Sequence, residues 1–142
     1  DNEAQAELNE AFRINVAVLG PDHADTVFIE SQLAKVYLIR GDFADAEPVL
    51  VRAIVLARAS PVNWRLGAYL VDLGRCRQGQ GRFEEAEAAM KEGVEVLLAT
   101  LNPSNPEVSA GQRELAALYD AWGRSVEAER VRANISDGAA MK

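Results

Sequence analysis

One unit occurs three times in this chain, and a repeat constrains a fold more tightly than any single residue does. The stretch from Leu33 to Glu47 returns from Leu73 to Glu87 and again from Leu115 to Glu129. Gly41, Gly81 and Gly123 hold the same place in each copy, at intervals of 40 and 42 residues. Ala46, Ala86 and Ala128 repeat those intervals, and Ala4 precedes Ala46 by 42. Around each glycine the apolar residues recur at three- and four-residue spacing, which predicts two amphipathic helices joined by a tight turn. The glycine ends the first helix, here helix A, in a left-handed conformation. Ala34, Gly74 and Ala116 are small where helix A crosses its partner, and Ala46, Ala86 and Ala128 answer from helix B. Leu33, Leu73, Leu115, Phe43 and Phe83 fill the space around those crossings. One hairpin cannot bury both apolar faces, so the units must stack into a solenoid.

Local signals divide the chain. A half repeat spans 1–20, with a helix over 3–19 on which Ala4, Leu8, Ala11 and Phe12 share a face, stopped by Gly20-Pro21. The first full repeat, 21–59, has Asp22 as cap with Asp25 as capping-box partner, helix 24–40, then Asp42 capping helix 43–58. Pro48 lies near the start of that helix and bends it. The second repeat, 60–100, opens on Ser60-Pro61-Val62-Asn63; its helix A runs to about Gln80, weakened by Gly74 and Gly79, and its helix B runs to Thr100. The third, 101–135, has Asn105 as cap and Pro106 at the first helical position, helix A to Trp122 and a last helix over 125–135. Residues 136–142 are expected to be a disordered tail. The expectation is an all-α superhelix of seven helices. The chain opens on Asp1 already inside a helical pattern, which suggests a piece excised from a longer protein.

Composition removes several kinds of function. Fifteen basic against twenty-two acidic residues give a net charge of −7, the wrong sign for general nucleic-acid affinity. One cysteine, Cys76, and one histidine, His23, allow no internal disulfide, no cysteine-based zinc site and no histidine pair. No run reaches the roughly 18 apolar residues of a membrane span. No signal peptide is visible, so the expected location is the cytoplasm.

The run Leu33-Ala34-Tyr37-Gly41-Phe43-Ala46 resembles the tetratricopeptide repeat (TPR) family. The period of 40–42 exceeds the usual ~34 and resembles the longer-helix variant of kinesin light chains and many bacterial proteins. Leu19-Gly20-Pro21-Asp22-His23 and Leu101-Asn102-Pro103-Ser104-Asn105-Pro106 are similar to that variant's linkers, and with Asn63-Trp64-Arg65 they also resemble arrays C-terminal to bacterial serine/threonine kinases. The resemblance implies a non-catalytic, cofactor-free scaffold that binds a protein or peptide on the concave surface lined by the A helices.

Chemical candidates are few. Cys76 occupies the core position of Val36 and Leu118; His23 is a cap or surface residue; Trp64 and Trp122 pack at repeat junctions. Glu84, Glu85, Glu87, Glu92 and Glu95 decorate a solvated helix face. Arg77 stands where the pattern has tyrosine, and it snorkels or pairs with glutamate. Arg132 stands where Leu50 and Met90 do, giving the last helix the polar face of a solenoid end.

The concave stripe is expected to carry Phe28, Ser31, Lys35 and Leu38, then Ala68, Val71, Arg75 and Gln78, then Ala110, Arg113, Ala117 and Asp120. Of these, Ser31, Lys35, Leu38, Val71, Arg75, Gln78, Arg113, Ala117 and Asp120 are the candidate binding residues. Lys35, Arg75 and Arg113 on a chain of net −7 suggest an acidic segment or a free carboxylate as ligand. The alternative is a regulatory or oligomerising arm of a larger bacterial signalling enzyme such as a kinase. The N-terminal helix lacks its own helix A, and Ile14, Val16 and Val18 on it are expected to promote self-association.

Overall fold

The computed structural model describes residues 2–61 and 63–135; the expected tail lies outside them. Within this range the chain forms seven helices and no strand: α1 Asn2–Leu19, α2 Ala24–Arg40, α3 Phe43–Arg58, α4 Trp64–Gly79, α5 Phe83–Thr100, α6 Pro106–Ala121 and α7 Ser125–Ala133. The three hairpins are α2–α3, α4–α5 and α6–α7, and α1 is a B helix without a hairpin partner among the described residues.

The turns work as the repeat demands. Gly41 has φ 80°, and Gly81 and Gly123 match it at 75° and 77°. In this left-handed region an L side chain is strained. The chain reverses there, and the amide of Asp42 returns to the carbonyl of Tyr37, closing the end of α2. Asn63 and Asn105 cap α4 and α6 by accepting backbone N–H bonds from Arg65 and Glu107, both at 2.9 Å. Two expected caps differ. His23, not Asp22, caps α2: its Nδ1 accepts the Asp25 amide at 3.1 Å, while Asp22 reaches out to Arg52. Asp42 sits at the cap position of α3, but only its backbone carbonyl is used there, taking the amides of Asp45 and Ala46.

The small residues of the repeat lie at the helix crossings. Ala34, Ala46, Ala86 and Ala128 are fully buried, and Ala116 nearly so. Leu50 and Met90 are sealed beside them. Gly74 and Gly79 serve packing: a Cβ on Gly79 would stand 2.1 Å from the Phe43 ring, and one on Gly74 would stand 2.3 Å from Met90 Cγ. One apolar cluster joins α2, α3 and α4, with Ala89 of α5; the other joins α5, α6 and α7, with Val71 of α4. Trp122 stacks on Phe83 and Tyr119, and Trp64 meets Phe28 edge to face, so both tryptophans pack at junctions.

The A helices are the inner layer. In backbone packing α4 touches both α2 and α6, whereas α1, α3, α5 and α7 touch only A helices. Neighbouring A helices are therefore closer together than neighbouring B helices, and the stack curves with α2, α4 and α6 on its concave side. The ends differ. The Arg132 position is polar as expected: the guanidinium pairs with Asp120 and with Glu129, and α7 buries only Ala128. At the other end α1 buries no residue and leaves Ile14, Val18 and Leu19 exposed, Val18 by 74%.

Candidate functional site

The concave layer carries a chain of charges that crosses three helices. Lys35 of α2 lies 3.4 Å from Asp72 Oδ2 of α4. Arg75, one turn further along α4, donates to Asp72 Oδ1 at 3.3 Å and lies 3.5 Å from Glu114 of α6. Helical spacing puts Asp72 and Arg75 on one face. The short step between A helices brings Lys35 and Glu114 within reach on either side.

Asp72 is 4% exposed. Burial raises its pKa above the ordinary aspartate value, and Lys35 and Arg75 pull it back only in part. The folded protein thus holds this proton more tightly than the unfolded chain. Between the ordinary value and the raised one the folded state binds more proton, so folding stability falls as pH rises through that window. Asp72→Asn does not titrate there. Its stability relative to wild type is expected to increase with pH from the acid side toward neutrality. Melting curves over a pH series check this; a difference that stays constant with pH contradicts it.

Two cavities of about 80 and 100 Å³ lie along this layer, and both are lined by Lys35, Ala68, Asp72 and Glu107. The first is closed by Phe28, Trp64 and Tyr69, and the second by Arg75, Ala110 and Glu114. A wider hollow of about 300 Å³ follows toward the glycine turns, among Leu38, Arg75, Gln78 and Phe83. Together they form a trough along α2, α4 and α6.

The structure sorts the expected binding residues. Lys35, Arg75 and Gln78 line the trough, half-buried. Arg113 and Ala117 are exposed on α6; Arg113 donates to Ser109 Oγ at 3.3 Å. Asp120 is exposed and paired with Arg132. Ser31, Leu38 and Val71 differ from the expected stripe in exposure: all three are buried, yet Ser31 lines the first small cavity and Val71 the second. The inner helices pack on one another, so the residues nearest the next A helix are covered. Ser31 turns its hydroxyl to the Phe28 carbonyl at 2.5 Å, and Val71 lies against the backbone of Gly93 on α5. Leu38 belongs to the first apolar cluster, though it borders the wider hollow.

The residues overlooked from sequence are Asp72, Glu107 and Glu114. A signal for two of them existed: the position before each joint leucine is polar in all copies, as Gln32, Asp72 and Glu114. Elsewhere the chemistry is spent on structure. Cys76 is fully buried and its thiol donates to the Phe43 carbonyl at 3.2 Å; burial is the main reason its pKa is raised. Arg77 lies 3.7 Å from Glu47 and 4.0 Å from Glu85. Tyr119 donates to Glu87 at 2.5 Å. Among the described residues no cluster could hold a metal ion, and no helix is long and apolar enough to cross a membrane.

Stacked antiparallel hairpins of about 40 residues, left-handed glycine turns and an inner layer of A helices define a TPR-type α-α superhelix. Solved structures of that type superpose on the chain. The nearly identical TPR-like repeats of a kinesin light chain from Podosopora anserina match with a TM-score of 0.67 at 24% identity, over 94% of this chain and 64% of that one. BtubC (BKLC) from P. vanneervenii matches with 0.72 at 17% identity, over 93% and 56%. MamA from MSR-1 matches with 0.59 at 23% identity, over 93% and 66%. The likeness is one of fold, and the chain spans less than two thirds of each of these structures. No family model and no curated protein sequence matches the chain.

Proposed function

We propose that this chain is a non-catalytic interaction module whose concave trough takes an extended polypeptide segment. One observation carries the reading: the charges of the inner layer, Lys35, Asp72, Arg75, Glu107 and Glu114, border connected hollows along three successive helices. A trough that runs across successive repeats suits an extended chain better than a small molecule. The residues that differ between copies line it, while the repeated ones are used up in packing.

Panning a random peptide library against the protein tests this. Counter-selection uses Ala68→Phe, which fills both small cavities from a half-buried position outside the core clusters. Peptides that bind wild type and lose at least about tenfold in affinity, ~1.4 kcal/mol, on Ala68→Phe are expected. Peptides that bind both proteins alike would place recognition elsewhere.

An acidic segment is one form of this proposal, but it would have to draw Lys35 and Arg75 away from Asp72 and Glu114. Self-association through α1 is a separate proposal, supported by its exposed Ile14, Val18 and Leu19. The proposal that the chain is a regulatory arm of a bacterial signalling kinase draws no support from the three fold likenesses described above.

A further inference from the structure

We propose that the segment held by the trough presents a basic side chain, arginine or lysine, to Asp72 and Glu107. This deepens the concave reading above and rests on it. The first ground is unused acceptor capacity. Asp72 is almost wholly buried, yet its Oδ2 accepts no hydrogen bond. Its two cationic neighbours stand off, Lys35 Nζ at 3.4 Å and Arg75 at 3.3 Å. Charge-assisted bonds close to about 2.7–2.9 Å when geometry permits. A buried carboxylate held this loosely gains from one more donor.

The second ground is Glu107. It lies in the first turn of α6, exposed, on the rim of both small cavities, and its carboxylate has no ion-pair partner among the described residues. The cavities share Asp72 and Glu107, so one guanidinium or ammonium entering between α4 and α6 faces both carboxylates. Trp64 lines the same cavity and offers an aromatic wall of the kind that attracts cations.

The third ground is the balance of charge. The two small cavities are lined by three carboxylates, Asp72, Glu107 and Glu114, against two cations, Lys35 and Arg75. Both cations already face carboxylates. An incoming carboxylate would meet Glu107 unopposed, whereas an incoming cation completes the set. Lys35 is the opposing group. Its side chain is partly exposed on a flexible stem, so it can give way while keeping its charge in water.

Three peptides with one alanine-glycine backbone, carrying arginine, glutamine or glutamate at the same positions, test the proposal by fluorescence anisotropy at constant salt. The arginine form is expected to bind best, by about tenfold over the glutamine form, as for a hydrogen bond between charged groups. Glu107→Gln and Asp72→Asn should each remove most of that advantage. Glu95→Gln, an exposed carboxylate on α5, should leave it intact and so separates the trough from general attraction to an acidic protein. Because Glu107 is exposed, its variant stays informative even if Asp72→Asn folds poorly. Tightest binding of the glutamate form would overturn the basic-ligand proposal and leave the trough reading standing. An arginine advantage reduced equally by Glu95→Gln would overturn it too. Failure of all three peptides to bind would count against both.

Discussion

Leu50→Ala is expected to cost about 3–5 kcal/mol of folding free energy, at the upper end of what a buried leucine loses. Leu50 has no exposed surface and sits where α3 meets α2 and α4. Its neighbours include Ala34, Ala46 and Ala53, which cannot swing in to fill the void because they have no side-chain freedom. The cavity therefore stays open, and the loss combines transfer and cavity terms. The repeat supplies its own control. Arg132 holds the equivalent position in the last helix, exposed and ion-paired. Arg132→Ala is expected to melt with wild type within experimental error. Urea denaturation of the two variants checks the pair; similar losses would mean that the repeat positions are not equivalent in packing.

Gly93→Ala should be the second large effect. A Cβ there would lie 2.8 Å from the Gly67 carbonyl oxygen and from Val71 Cγ2, and 2.9 Å from the Val71 backbone nitrogen. Two of those atoms are backbone of α4, so relief requires the helices to move apart. Overpacking of this kind costs about 3 kcal/mol, and the better helix propensity of alanine returns about 1, leaving a net loss near 2 kcal/mol. For a chain of this size that is a fall of roughly 6 °C in Tm. Gly111→Ala makes the contrast. Its nearest obstacle is Leu97 Cδ1 at 2.9 Å, the far end of a side chain, and its next two are side-chain methyls at 3.5 Å or more. It is expected to cost clearly less than Gly93→Ala in the same thermal melt, and equal losses would contradict this account of the α4–α5 crossing.

Much of the fold is written in these same residues. The glycines and alanines recurring at 40 to 42 residues define three hairpins, and the helix bounds fall within about two residues of those read from the sequence. This works because each mark has a local physical cause: a left-handed turn, a small residue at a crossing, a proline at a first helical position. Cap identity was less legible, because His23 and Asp22 can both supply an acceptor and only the path of the loop decides between them.

The site was legible by half. Lys35 and Arg75 fall on the concave layer because helical periodicity alone puts them there. Ser31, Leu38 and Val71 share that periodicity and are nonetheless covered, since how far one A helix overlaps the next depends on superhelical angle and not on the pattern of one helix. Asp72 was hidden for a related reason. The repeat marks its position only as polar, and its meaning comes from Lys35, 37 residues earlier, and Glu114, 42 later.

The most direct test of the trough is a two-dimensional NMR titration of this protein with a peptide selected on it. Amide shifts are expected to concentrate at Lys35, Ala68, Asp72, Arg75, Glu107 and Glu114, with Val51, Val55 and Glu95 on the B helices unmoved. Shifts centred on the B helices, or on α1 alone, would contradict a concave binding surface.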